Sequence, residues 1–409
     1  MDIIGAITRL PALIFGVERH DDDFTDRLSY KYTVAILVVF AIIVTNRQFG
    51  TKQIQCWVPA QFTRNYEEYV NDICWVSNTY YIPVDQKLPK DNTERRRHEI
   101  RYYQWVPFIL MLQAFTFYLP HMTWRTLSRR SGIDLKNLVE AASSYKSVEK
   151  FEKRNILMKY LVATIDQYVD DPRRQTDSRN MSQCTRFVSV INCISGRFLG
   201  NYLIILYFFV KLMFALNTVV EFFILGQLLG QKFQMFGIEV IERMLAGKGW
   251  DSSNKYFPKV TLCDLKVREP GHPQVSHQYT VQCVLPINLF NQQIFTFIWF
   301  WYMLVLVATL YDIGVWVFRF IPSKRFNYIE RRLRLMSFDN WKSQINNIEY
   351  KNFVYSYLES DGVFMLRVIA NNTSDFVCTE IIQQLWLKYQ YQHNLMKTKQ
   401  TDISQGTHA

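Results

Sequence analysis

The sequence predicts an all-α membrane protein, a four-transmembrane-helix bundle with disulfide-linked extracellular loops. Three observations predict it: four apolar stretches nearly free of Lys, Arg, Asp and Glu, two cysteine pairs between those stretches, and a Lys/Arg distribution that sorts the connecting segments onto two sides. Whole-chain averages conceal the pattern, because mean hydropathy is -0.08 and 20% of the residues are charged. The apolar residues are nevertheless clustered, and a helix needs about 20 of them to cross a hydrocarbon core of roughly 30 Å.

The first stretch runs from Tyr32 to Asn46, with a continuous β-branched core from Val34 to Val44. It is short, so Tyr30, Lys31 and Arg47 are expected to snorkel. The second lies between Arg101 and Arg125, with Trp105, Tyr118 and Trp124 placed as interfacial aromatics, and Pro107 is expected to kink or loosen its first turn. The third, Phe198 to Leu225, contains Lys211 and Glu221, ionisable groups that at membrane depth face a bundle interior or water. The fourth, Leu289 to Phe320, opens with the aromatic-rich run Ile294–Tyr302 and stays uncharged until Asp312. Buried helices of a soluble protein explain one such stretch more readily than four. Met1 to Pro11 carries Asp2 and no basic region before a long apolar core, so the first span is expected to act as the insertion signal.

Charge gives the orientation. Arg319, Lys324, Arg325, Arg331, Arg332 and Arg334 follow the fourth span, and no Lys or Arg lies between Arg268 and that span. Residues 125–197 hold 14 Lys/Arg against 8 Asp/Glu. Both segments therefore read as cytoplasmic. Arg95, Arg96, Arg97 and Arg101 run against the rule, since they precede the second span on the outer side. The cysteines decide the matter, because disulfides persist outside the cytosol: Cys56 and Cys74 follow the first span, Cys263 and Cys283 precede the last, and Cys184, Cys193 and Cys378 fall inside as free thiols. The organisation is an N-terminal cytoplasmic segment 1–30, transmembrane helices 31–49, 103–124, 198–225 and 289–320, extracellular loops 50–102 and 226–288, a cytoplasmic loop 125–197 and a cytoplasmic C-terminal region 321–409. The net charge of +11 is then a positive-inside and lipid-headgroup signature, and nothing calls for nucleic acid.

Four cysteines allow three connectivities, and spacing does not choose among them. The outer loops are rich in Tyr, Pro and Asn, as in Tyr80-Tyr81-Ile82-Pro83, so they read as folded. Sequons stand at Asn180, Asn371 and Asn372, all in cytoplasmic segments, and neither outer loop has one. A face free of bulky glycans suits close approach to another protein.

Tyr102-Tyr103-Gln104-Trp105-Val106-Pro107-Phe108 opens the second span, and the first outer loop holds Cys56-Trp57-Val58-Pro59-Ala60-Gln61-Phe62 and Cys74-Trp75-Val76-Ser77-Asn78-Thr79-Tyr80-Tyr81. In these motifs the chain resembles the innexins, the invertebrate gap-junction proteins. The resemblance runs from the N-terminus to just past the fourth span. It implies a ring, octameric where the architecture is known, that docks with the ring of an apposed cell to pass ions and small metabolites. It also implies pairing of Cys56 with Cys283 and Cys74 with Cys263, and a helical cytoplasmic dome. Partners would be further copies, other innexins and membrane lipids.

From residues alone the N-terminal segment reads as a helix on the inner membrane surface. The resemblance places it in the pore mouth, with Asp2, Thr8 and Arg9 as its polar candidates and Asp2 biasing permeation toward cations. Asp21, Asp22, Asp23 and Asp26 read as a solvated acidic loop; Lys211 and Glu221 read either as a buried intrahelical or inter-subunit pair or, equally, with Glu221 marking the outer interface. Phe326 to Tyr391 has the pattern of amphipathic helices, and Lys397 to Ala409 reads as disordered. No phosphate loop, nucleophile elbow or zinc motif occurs, and His98-Glu99 lacks a second histidine. The chain is therefore not expected to be an enzyme, and no catalytic residue, metal or cofactor is assigned. The competing readings are an undocked, pannexin-like plasma-membrane hemichannel and a non-conducting four-span adhesion or scaffold protein.

Overall fold

A computed structural model describes residues 22–50, 53–83, 86–169, 200–229, 233–247, 256–269, 272–336 and 347–406. The chain is mostly helical and divides into two compact units, one drawn from Ser29–Tyr118 and Ala215–Val307, the other from 22–28, 119–214 and 308–406.

Among the described residues, three helices are long and apolar enough to cross a membrane: α1 (Phe24–Gly50), α7 (Tyr202–Leu228) and α9 (Pro286–Phe320). Helix α1 starts well before Lys31, through a π-helical turn at Leu28–Thr33, so it is not short. The stretch opened by the Tyr102 motif becomes α4 (Val106–Arg130). It has the length of a span but a more polar middle, with Gln113, Thr116, Pro120 and His121. Pro107 sits in its first turn, where a missing N–H costs no helical bond; the interior proline is Pro120.

The connecting segments of the first unit are not all helical, which corrects the all-α expectation. Strands β1 (Gln55–Trp57), β2 (Thr79–Tyr80), β3 (Glu99–Ile100), β4 (Val260–Glu269) and β5 (His272–Val284) form one antiparallel sheet in the order β1-β5-β4-β2-β3. Burial alternates along β4, with Thr261, Cys263 and Leu265 inside and Lys266 and Arg268 outside, the period-two signature of a sheet with one covered face. Helix α2 (Arg64–Val76) covers that face with Val70 and Cys74, one turn apart. A short helix α3 (Asn92–Arg96) precedes β3.

Below the sheet, an aromatic core of Tyr103, Phe117, Phe222, Phe236, Phe295 and Trp299 joins α1, α4, α7, α9 and α8 (Phe236–Leu245). Gly237 lets α8 lie against Trp299, since a Cβ there would fall 2.1 Å from the indole.

The second unit contains α5 (Leu135–Ser147), α6 (Phe151–Val169), α10 (Pro322–Met336), α11 (Asn347–Asn352), α12 (Glu359–Asn372) and α13 (Asp375–Gly406). Residues Asp361–Ile369 of α12 are all buried, as befits a helix surrounded by others. Helix α13 runs to Gly406, so the segment expected to be disordered is helical as far as that residue; no glycine or proline interrupts it earlier.

Candidate functional site: disulfide face and buried charges

The sheet brings the four outer-loop cysteines together. Cys56 and Cys283 are directly opposed across β1 and β5 and are joined by a disulfide. A second disulfide ties Cys74 on α2 to Cys263 on β4. All four lie in one buried cluster with Ile54, Val70, Leu265, Val281 and Leu285, and Asn71 Oδ1 accepts the Cys56 amide at 2.9 Å. Among the described residues, the one grouping with metal-ligand proximity is Cys56, Cys74 and Cys283. Their sulfurs are bonded to one another or to Cys263, which leaves no thiolate for an ion.

The Tyr102 motif fastens this sheet to the helices beneath it. Tyr102 donates its hydroxyl to the Tyr256 carbonyl at 2.9 Å, Tyr103 donates to the Trp75 carbonyl at 3.3 Å, and Gln104 donates to the same carbonyl. Gln48 of α1 donates to the Tyr103 carbonyl at 2.8 Å. Val106 and Pro107 are buried, whereas Trp105 is exposed. The motif is thus a junction of α1, α2, α4 and the outer loops. Beside it, Tyr80 donates to Asp264 at 3.0 Å; burial first, and that carboxylate second, push the hydroxyl well above its ordinary range, which keeps it a donor.

Lys211 and Glu221 do not pair. Glu221 accepts from Gln113 Nε2 at 3.0 Å and from Thr116 Oγ1 at 2.6 Å. Lys211, 1% exposed, lies 2.7 Å from Asp26 and 4.0 Å from Asp23, and also contacts Asp312. Thr25 donates to Asp312 at 2.7 Å. Asp22, Asp23 and Asp26 are therefore not a solvated loop: Asp26 and Asp23 face a buried ammonium, Asp22 is buried and lies 3.8 Å from His121 Nδ1, and Asp23 accepts from Tyr207 at 2.8 Å, from Asn371 at 3.2 Å and from Trp316. Asp21 lies outside the described residues, as do Asp2, Thr8, Arg9, Cys184, Cys193 and Asn180.

Asp361 is a site that sequence reasoning missed. Its carboxylate accepts the amides of Leu203 and Ile204, each at 3.2 Å, and the Tyr168 hydroxyl at 3.0 Å, while its own amide donates to the Gly200 carbonyl at 3.0 Å. A residue of the C-terminal region thus caps the first turn of α7, whose leading amides lack helical partners. The available signal was an aspartate followed by a glycine immediately before the apolar run Val363–Leu366.

A sequence model of the family described as Innexin matches residues 22–389. Innexin unc-9 of Caenorhabditis elegans is 37% identical over 370 residues, covering 90% of this chain and 92% of that protein. Innexin-3 of the same organism is 37% identical over 376 residues, covering 91% and 85%, and Innexin eat-5 is 33% identical over 383 residues, covering 91% and 88%. The chain therefore belongs to the innexin family of gap-junction channel subunits.

Proposed function

We propose that the chain assembles as a ring, with eight subunits as the family resemblance implies, each crossing the plasma membrane four times with both termini in the cytoplasm. Rings of apposed cells dock through the disulfide-bonded loops and pass ions and small metabolites. The observation that carries this reading is the closure of both cysteine loops into one five-stranded sheet by two disulfides. A face held so rigidly surrenders little conformational freedom on docking.

The fourth crossing falls to α4, whose 25 residues give about 37 Å at 1.5 Å per residue. Its mid-helix Gln113 and Thr116 both donate to Glu221, which removes the main cost of placing them in lipid. The basic run after α9 supports cytoplasmic termini. Asp2, Thr8 and Arg9 line the pore mouth, Trp105 meets the lipid interface, and rings form from this chain alone or with other innexins.

The test is junctional conductance between paired cells that both express only this chain, recorded together with single-cell leak. Junctional current is the expected result. Leak without it would assign an undocked hemichannel, and neither current, despite surface delivery, would assign an obligate heteromer or an adhesion protein.

A further inference from the structure

The outer-loop arginines that run against the positive-inside pattern are not scattered. Arg95, Arg96 and Arg101 line one cleft of about 470 Å³ together with Lys266, Glu99 and Asp264. The two carboxylates are engaged by the cleft walls. Asp264 accepts from Arg95 Nη1 at 2.9 Å, from Tyr80 at 3.0 Å and from Thr280 at 2.6 Å. Glu99 Oε2 takes both Nε and Nη2 of Arg101, at 2.9 and 2.5 Å. Among the described residues, the side chains of Arg96 and Lys266 make no hydrogen bond or ion pair to another residue, although both line the cleft.

The geometry points to a binding site for a phosphate or sulfate oxyanion, held by Arg96 and Lys266 in a cleft whose own carboxylates are already neutralised. The chemistry suits such a ligand. A guanidinium presents paired donors to a tetrahedral or planar oxyanion, and an ammonium adds a point charge. The frame is prearranged: Arg95, with a side chain 13% exposed, is fixed by Asp264 and by the Pro89 carbonyl at 2.6 Å. Lys266 stands on β4, three residues after the disulfide-bonded Cys263. The volume lies within the range of small-molecule sites.

Two sources carry this oxyanion. One is a soluble phosphate or sulfate ester. The other is a lipid headgroup, because Arg101 precedes α4 by five residues and the opening of that helix exposes Trp105 and Phe108 at 60% and 68%. The lipid source rests on the proposed topology; oxyanion binding does not.

The experiment uses the full chain in phosphatidylcholine nanodiscs, titrated with sodium sulfate against sodium chloride of matched ionic strength. A second arm measures retention of phosphatidic acid by native mass spectrometry from discs that contain it. The variants are R96E/K266E and, as a control, R97E, whose exposed arginine lies outside the cleft. Saturable sulfate binding that falls at least tenfold in R96E/K266E and less than twofold in R97E supports the site with a soluble ligand. The same pattern confined to phosphatidic acid supports it with lipid as the source. Equal losses in both variants, or no saturable binding in either arm, overturn it. If R96E/K266E fails to fold, protection of Arg96 from phenylglyoxal is read in the wild-type chain; protection by neither sulfate nor phosphatidic acid overturns the site.

Discussion

The two compact units of this chain solve the same problem, uniting segments far apart in sequence, by opposite chemistry. In the first, residues 227 and 189 positions apart are joined covalently, around a buried apolar cluster. In the second, buried polar groups do the joining: Lys211 among Asp23, Asp26 and Asp312, and Asp361 at the start of α7. A disulfide acts mainly by restricting the unfolded chain and has one bonded state. A buried ion cluster holds only while every member keeps its charge and partner, since an orphaned charge is costly. The sheet is thus held in one shape by its bonds, whereas the helices of the second unit depend on every buried charge keeping its partner.

The sharpest way to break the comparison is to cut the covalent side. Replacing Cys74 or Cys263 by Ser frees α2 from β4 and is expected to cost about 2–5 kcal/mol. The expected outcome is a lowered thermal midpoint by size-exclusion in detergent, with new protease cleavage within 53–83. An unchanged midpoint would mean that the apolar cluster holds the sheet without the bond.

On the ionic side, Lys211→Met leaves three carboxylates around a buried site without their cation and is expected to cost about 3–5 kcal/mol. Adding Asp26→Asn and Asp312→Asn to Lys211→Met should recover a large part of that loss, because two of the three orphaned charges disappear and Asp23 keeps Tyr207, Trp316 and Asn371 as donors. The same thermal assay reads both. No recovery would show that the cluster contributes through packing rather than charge.

The contrast also explains what was legible in the sequence. A membrane span is a local property, so Val34–Val44 and Ile294–Tyr302 announce themselves. The beginning of α1 does not, because Asp26 reads as part of a solvated acidic loop and Lys31 as a snorkelling flank until Lys211, 185 residues past Asp26, is known to face Asp26. The sheet was illegible for the same reason: β1 pairs with β5 across more than 200 residues, in a register that opposes Cys56 and Cys283, whereas spacing had left three connectivities open. Lys211 and Glu221 stood out as charges in an apolar run, but only tertiary structure gives them separate partners. The Tyr102 motif was conspicuous, yet its role as a junction depends on carbonyls supplied by Trp75 and Tyr256.

Asp361 gives a smaller and more local test. Asp361→Ala removes the acceptor for two leading amides of α7 and is expected to cost about 1–2 kcal/mol, with faster hydrogen exchange at Leu203 and Ile204. Asp361→Asn keeps one oxygen acceptor and should fall between Asp and Ala. If all three exchange alike, the C-terminal region does not cap this helix.

The smallest effect sharpens the difference between bonded and unbonded sulfur. Cys378 is buried and free, and burial pushes its thiol up to about 11 from an ordinary value of 9.0. A raised folded value means that the native state favours the protonated thiol. Its contribution is full below the unfolded value and is lost as pH rises through the folded one. At neutral pH the sulfur is therefore both shielded and protonated, and the thiolate is the reactive form. Mass spectrometry after N-ethylmaleimide treatment at pH 7.5, a working value about one unit below the ordinary thiol range, should find Cys378 unmodified in the folded protein and fully modified in denaturant. Rapid labelling of the folded chain would mean that α13 opens on the timescale of the reaction, and that the second unit is held more loosely than its buried contacts require.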